Sequence, residues 1–158
     1  MTVKAIIACD QNSGIGNEGN LPWPKNKKDM DWFRKNTMGN VVLMGRSTWE
    51  SIGSKPLPNR ENVVVSSGVV ENAGLSMSGD MGDIIDYVEE LYEGLDIWII
   101  GGANIYKQAI PYCDKLYLTA MKQCYKCDRY IESDIITEFP VIEHWEEDDE
   151  MTIQIRSR

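Results

Sequence analysis

The sequence predicts an α/β fold built on a mainly parallel sheet within a single domain, 1–158. Short β-branched runs recur with little polar interruption: VKAIIAC at 3 to 9, VVLM at 41 to 44, NVVVSS at 62 to 67 and IWII at 97 to 100. Such runs, bounded by Gly, Asn or Asp, suit strands covered on both faces. Amphipathic stretches lie between them, and strands alternating with helices imply parallel pairing through right-handed crossovers. A chain of 158 residues buries about two thirds of its unfolded surface, enough for a core without staples. No repeat, linker or shift of composition marks an internal boundary.

Taken in order, the first buried run is followed by IGNEGNLPWP, residues 15 to 24, whose two glycines and two prolines exclude helix and central strand. This loop nevertheless carries Leu21 and Trp23, so it is either a surface loop pinned by a tryptophan or a lid over a ligand. The helix predicted over 27 to 36, KKDMDWFRKN, places Asp29 and Phe33 on one face with Met30 beside them. Asp29 is either a charge favoured by the helix start or, if the stripe lines a cleft, a desolvated acid suited to a flat amidine-like group. Lys27 and Lys28, just before it, are a solvated helix start or an attraction for an anion.

MGRSTWESIG, residues 44 to 53, ends a strand at Gly45 and opens a helix at once. Free N–H groups there, with Arg46, Ser47 and Thr48, form a plausible phosphate site. In GDIIDYVEELYEG, Ile84, Val88, Leu91 and Tyr92 fall at helical spacing and Gly94 follows as a stop. IIGGANIYKQAIP, residues 99 to 111, repeats the order strand, glycines, helix, then proline. It lacks the third glycine of the GxGxxG fingerprint, where Ala103 stands, yet Gly101 and Gly102 still admit a diphosphate closely. In KLYLTAM and MTIQIRS, apolar residues alternate with others, which predicts antiparallel edge strands joined near the acidic run 146 to 150.

Composition narrows the function. Sixteen basic against 25 acidic residues leave a net charge of −9, which excludes bulk affinity for nucleic acid or an anionic membrane and points to a small-molecule partner. No run approaches the roughly 20 apolar residues that cross a bilayer, and the N-terminal stretch turns polar too soon for a signal peptide, so a cytoplasmic location is expected. The four cysteines are expected to be reduced. Cys124 and Cys127 form one CxxC with no second pair, and the single histidine, His144, lies well downstream, so no metal site is expected.

In this order, IGNEGNLPW, the DMDWF helix, VVLMGRSTWESIG, PLPNRENVVVSS, IIGGANIYKQAIP and KLYLT resemble the dihydrofolate reductase family from about residue 3 to 121. The resemblance implies a central eight-stranded, mostly parallel sheet with antiparallel C-terminal strands, about four helices, and an adenosine-binding part over about 40–95. It implies NADPH-dependent reduction of 7,8-dihydrofolate, antifolate binding and a monomer. Asp29 is then expected to bind the pterin's 2-amino group and N3, with Thr119 supporting it. Leu21 and Trp23 belong to the lid beside the nicotinamide, and Tyr106 lies near the nicotinamide and pterin. Ile6, Ala8, Met30, Phe33, Ile52, Leu57 and Ile100 are expected to wall the folate cleft, and Arg60 to pair with the glutamate tail. Arg46, Ser47, Thr48, Ser66 and Ser67 would bind the adenosine end and 2′-phosphate, and Gly45, Gly101, Gly102 and Ala103 the diphosphate. Ala8, Ile15, Gly16, Asn20, Ile100, Ile105 and Tyr106 complete the cofactor site.

The family's lid-bracing acid corresponds to Asp128, although residues 127 to 134 (CDRYIESD) depart from its usual acid followed by Phe-Pro. Two alternatives compete: a pteridine- or riboflavin-pathway reductase of the same fold, and a non-catalytic nucleotide- or folate-binding component. Asp29 and Phe33 paired with Arg60 argue against the first, since a ribitol phosphate has no tail for that arginine. Trp23, Asp29 and Thr119 together argue against the second.

Overall fold

The chain enters its sheet near the middle and fills one wing before the other. In the computed structural model, which describes residues 2–158, β1 (Val3–Cys9) lies between β6 (Ile97–Gly101) and β7 (Lys115–Met121), parallel to both. Outward from β6 come β3 (Val41–Gly45), β4 (Glu61–Val65) and β5 (Leu75–Met77), all parallel. Beyond β7 lie β10 (Met151–Ser157) and then β9 (Val141–Glu147), both joined antiparallel. The eight-stranded order is β5-β4-β3-β6-β1-β7-β10-β9, and β2 (Gly14–Gly16) pairs with β8 (Arg129–Tyr130) in a separate small sheet.

The period-two geometry of each strand sorts its side chains between two apolar layers. Val41, Leu43, Ile97 and Ile99 face α3 (Met81–Leu91) and α4 (Ala103–Ala109), packing on Ile84, Ile85, Val88, Ile105 and Ala109. Val42, Met44 and Trp98 face the opposite way, toward α1 (Lys27–Thr37) and α2 (Arg46–Ser51), where they meet Trp32, Phe33 and Trp49. Ile6 falls in this second layer, and Ala8 continues the same face of β1 beside Trp23 and Trp32. The carboxyl ends of β1, β3, β6 and β7 lie along one edge of the sheet, and ligands of open α/β sheets bind outside such an edge.

Two expectations need correction. Neither KLYLTAM nor MTIQIRS is an edge strand: β7 and β10 sit inside the sheet, and β9, which the alternation did not reveal, is the edge on that side. Leu116 and Leu118 pack into the α3–α4 layer while Tyr117 and Thr119 turn toward α1, so the alternation reports two different interiors and not a solvated face. There are five α-helices among the described residues, because the short α5 (Asp134–Thr137) inserts Ile135 into the core. Leu91 is half-exposed at the end of α3, and Ile85 takes the core position instead. No helix among the described residues is long and apolar enough to cross a membrane.

Candidate active site

Asp29 occupies the first turn of α1, positioned by Asn26, whose side-chain oxygen caps the helix by accepting from the Asp29 N–H at 3.1 Å. Its own carboxylate turns away from that cap toward the sheet and accepts from the Thr119 hydroxyl on β7 at 2.8 Å. Asp29 is 9% exposed and Thr119 1%. Burial pushes the Asp29 pKa up, and the Thr119 hydrogen bond offsets only part of that rise. None of the ion pairs among the described residues includes Asp29. A buried acid without a cation is costly to keep ionised, and one held ready in an apolar wall suits a ligand that brings its own paired donors.

The residues expected to wall the cleft fall mostly into two apolar clusters. Ile6, Phe33, Ile52, Leu57 and Ile100 share one apolar cluster with Trp49. Ala8 and Trp23 join a neighbouring cluster that Trp32 links to the first. Met30 and Leu21 are half-exposed, the first on α1 and the second on the loop before it. Arg60 closes the far end: Nη1 donates to Thr37 Oγ1 and Nε to the Pro58 carbonyl, each at 3.0 Å, with the guanidinium 6.0 Å from the Phe33 ring centroid. Its pKa lies below the usual arginine value, first through burial and then through the nearby charge of Arg34. Two mutually repelling cations at one mouth favour an anion there. Arg34 is an addition to the residues legible in the sequence.

The two strand-glycine-helix junctions come together because β3 and β6 are neighbours. A Cβ on Gly102 would stand 3.5 Å from Thr48 Oγ1, and one on Gly45 would stand 2.9 Å from Ile105 Cγ1. Gly45 and Gly102 are the helix caps, and neither has a side-chain cap that would occupy the first-turn N–H groups. Arg46 Nη1 lies 3.9 Å from where a Gly68 Cβ would be, which brings the guanidinium to the Ser66–Gly68 turn after β4. Ser66 Oγ accepts from the Gly68 N–H at 3.3 Å and holds that turn, while Ser67 is exposed beside it. Small residues, N–H groups and a cation along one edge fit a dinucleotide carrying a diphosphate and a further phosphate. Tyr106 is buried beneath, its hydroxyl donating to the Ile6 carbonyl at 2.7 Å, and burial raises its pKa far above the usual tyrosine value. Tyr106 thus joins α4 to β1 under Gly101.

The loop expected as the lid runs from β1 to α1. Ile15 and Gly16 lie in β2, and Asn17 and Asn20 exchange backbone hydrogen bonds of 2.8 and 3.0 Å across a tight turn. Asp128 braces this turn from the β7–β8 loop, donating its N–H to the Gly16 carbonyl at 2.8 Å and accepting the Glu18 N–H at 2.9 Å. Trp23 is buried, and its ring meets Tyr125 edge-on at 5.7 Å. The indole N–H groups of Trp23, Trp32 and Trp98 are all buried without a partner among the described residues, and Trp23 alone of these belongs to the lid.

Sequence reasoning missed Asp10, which sits 3% exposed under its own two loops. Its carboxylate accepts from the N–H groups of Asn12 and Gly14 at 2.9 Å, from Tyr125 at 2.8 Å and from the Cys127 thiol at 3.6 Å. Burial raises its pKa, but these four donors together outweigh burial and hold it below the usual carboxylate range. An acid ending a buried run before Asn-Ser-Gly is the available signal, since Asx turns use that pattern.

The family model described as dihydrofolate reductase matches residues 2–157. A dihydrofolate reductase of Haemophilus influenzae is 39% identical over 147 residues, which covers 93% of this chain and 83% of the relative. That of Bacillus subtilis is 38% identical over 129 residues, covering 81% and 74% respectively. The solved dihydrofolate reductase from Enterococcus faecalis, complexed with NADP(H) and RAB-propyl, superposes with a TM-score of 0.84 at 29% identity, over 99% of this chain and 96% of that one.

Proposed function

The chain belongs to the dihydrofolate reductase family, and on that premise we propose that it reduces 7,8-dihydrofolate to 5,6,7,8-tetrahydrofolate with NADPH, supplying a carrier for one-carbon metabolism. One observation carries this reading: a buried carboxylate, Asp29, held by Thr119 in an apolar wall and left without a cation. Asp29 accepts from the pterin's 2-amino group and N3, so the ligand brings the charge-assisted partners that the protein withholds. Ile6, Phe33, Ile52, Leu57 and Ile100 hold the flat ring and exclude water from it. Arg60, with Arg34 nearby, pairs with the carboxylates of the glutamate tail.

NADPH, when bound, supplies the hydride that adds at C6. Arg46 and Ser67 hold its 2′-phosphate, Ser47, Thr48, Gly101, Gly102 and Ala103 its diphosphate, and residues of about 40–95 its adenosine end. Reduction at C6 requires a proton at N5. Asp10 and Asp29 are the buried acids among the described residues, and Asp10 is occupied by its loops. Water therefore delivers the proton, admitted past Leu21 and Trp23, while ionised Asp29 biases the ring toward accepting it. The carboxylate acts as anchor and electrostatic bias, not as a nucleophile.

The test is the loss of NADPH absorbance when dihydrofolate is added to the purified protein, and its arrest by methotrexate. Binding of both ligands without any decay overturns the reading and leaves a binding protein.

A further inference from the structure

Two thiols stand outside the machinery described above, against the residue that organises the lid. Cys9 and Cys113 are buried, and burial, the larger cause in each, pushes their thiols up to about 12, so both are inert core residues. Cys124 is exposed and Cys127 half-buried, in the segment between β7 and β8. Their sulfurs reach adjacent residues at the end of β1: Cys124 Sγ lies 3.8 Å from Gln11 Oε1, and Cys127 Sγ lies 3.6 Å from Asp10 Oδ2. Cys127 also fills the space beside Gly14, where a Cβ would stand 2.3 Å from its sulfur. Between the cysteines, the Tyr125 N–H donates to Asp10 at 2.8 Å. No backbone hydrogen bond among the described residues closes 124 to 127 into a turn.

We infer that Cys124 and Cys127 form a dithiol–disulfide couple whose oxidation releases the lid from Asp10. The oxidant is a small-molecule disulfide of the glutathione class. The Cys124 thiolate, exposed, attacks one sulfur of the oxidant, whose S–S bond breaks and expels one thiolate. Cys127 then attacks Cys124 in the mixed disulfide and expels the second. The protein loses two electrons and two protons, and the oxidant becomes two thiols.

A disulfide needs Cα atoms within about 4.4–6.8 Å, so the bridged pair holds 124 to 127 as a tight turn. That turn removes two of the four donors from Asp10, the Cys127 S–H and the Tyr125 N–H, and leaves only those of Asn12 and Gly14. The same movement pulls on Asp128, the next residue, which holds Gly16 and Glu18. The lid loses its support from the β7–β8 loop, and turnover falls. The turnover part rests on the reductase reading above, whereas the disulfide and its structural effect do not.

The experiment treats the full chain with oxidised glutathione and makes three measurements. The thiol titre in denaturant is expected to fall from four to two, with the mass lower by two hydrogens. Exchange of the Glu18 and Tyr125 amide hydrogens is expected to quicken by about tenfold. Turnover is expected to fall by roughly threefold to tenfold, and dithiothreitol to restore all three. Cys124→Ser, reduced, keeps the wild-type turnover and shows none of these changes on oxidation. Four titratable thiols after treatment, a lasting glutathione adduct without ring closure, or a disulfide that leaves the two amides unchanged would overturn the proposal. A protein with no reductase activity that still closes the disulfide and frees the two amides supports it, and only the catalytic reading then fails.

Discussion

Thr119 donates its hydroxyl hydrogen to Asp29 Oδ1 at 2.8 Å, joining an interior strand to the first turn of α1 across 90 positions of sequence. The acid is therefore aimed by the sheet and not by its own helix. That single bond also works against the burial that raises the Asp29 pKa. Thr119→Val keeps the shape of a fully buried site and removes only the donor. The Asp29-linked inflection in turnover against pH is expected to move to higher pH, and Thr119→Ser to return it toward the wild-type position. An unmoved inflection in Thr119→Val would show that the hydroxyl does not tune the acid.

Asp29→Asn separates function from stability. The folded-state pKa of Asp29 lies above its unfolded value, so the native state holds a proton that the unfolded chain has already lost across that window. Stability then falls as pH rises from the ordinary carboxylate range through the raised native value, and above it the full penalty remains. Removing the charge should make the variant more stable by about 1 kcal/mol near neutral pH and by nothing below the carboxylate range. Turnover should drop at least about a hundredfold, because the pterin loses a charge-assisted pair of hydrogen bonds. Denaturant unfolding at two pH values, beside initial rates, checks both halves.

The parallel strands were legible because burial on both faces leaves unbroken β-branched runs, and VKAIIAC matches β1 residue for residue. The edge strand β9 was not, since VIEHWEE carries four charged or titratable residues in seven and its apolar side chains stay half-exposed. Asp29, Thr119, Arg46 and Arg60 could be named because each stands in a motif that the family resemblance fixes. Asp10 and Arg34 could not, because their importance lies in what they meet: Asp10 gathers donors from a loop more than 100 positions away, and Arg34 acts by repelling Arg60. Spacing along the chain holds no trace of either contact.

Gly101 tests how the proposed diphosphate edge is built. Its φ of +118° is a conformation that side chains rarely adopt, and a Cβ there would stand 3.2 Å from the Tyr106 ring. Gly101→Ala is therefore expected to cost about 1–3 kcal/mol in stability and to disturb the bond from Tyr106 to Ile6. Thermal unfolding should show a lower midpoint, with NADPH affinity weakened alongside it. A midpoint equal to wild type would mean that the edge relaxes without strain.

On the proposed reading, Arg46 decides how a chain of net charge −9 holds a polyanionic cofactor. Its side chain is 55% exposed, and its partner Glu50 lies 4.0 Å away on the same solvated helix face, a pairing worth little. The guanidinium is consequently free to turn toward a phosphate beside the Ser66–Gly68 turn. Charges beyond roughly 10 Å are largely screened at ordinary salt, so the remaining acidic surface does not oppose binding there. Arg46→Gln is expected to raise KM for NADPH by about tenfold, to change KM for NADH less than about twofold, and to leave kcat untouched. The discrimination should shrink as ionic strength rises, since the interaction is exposed. Initial rates with both cofactors at low and high salt measure it, and equal losses for NADPH and NADH would remove Arg46 from the 2′-phosphate.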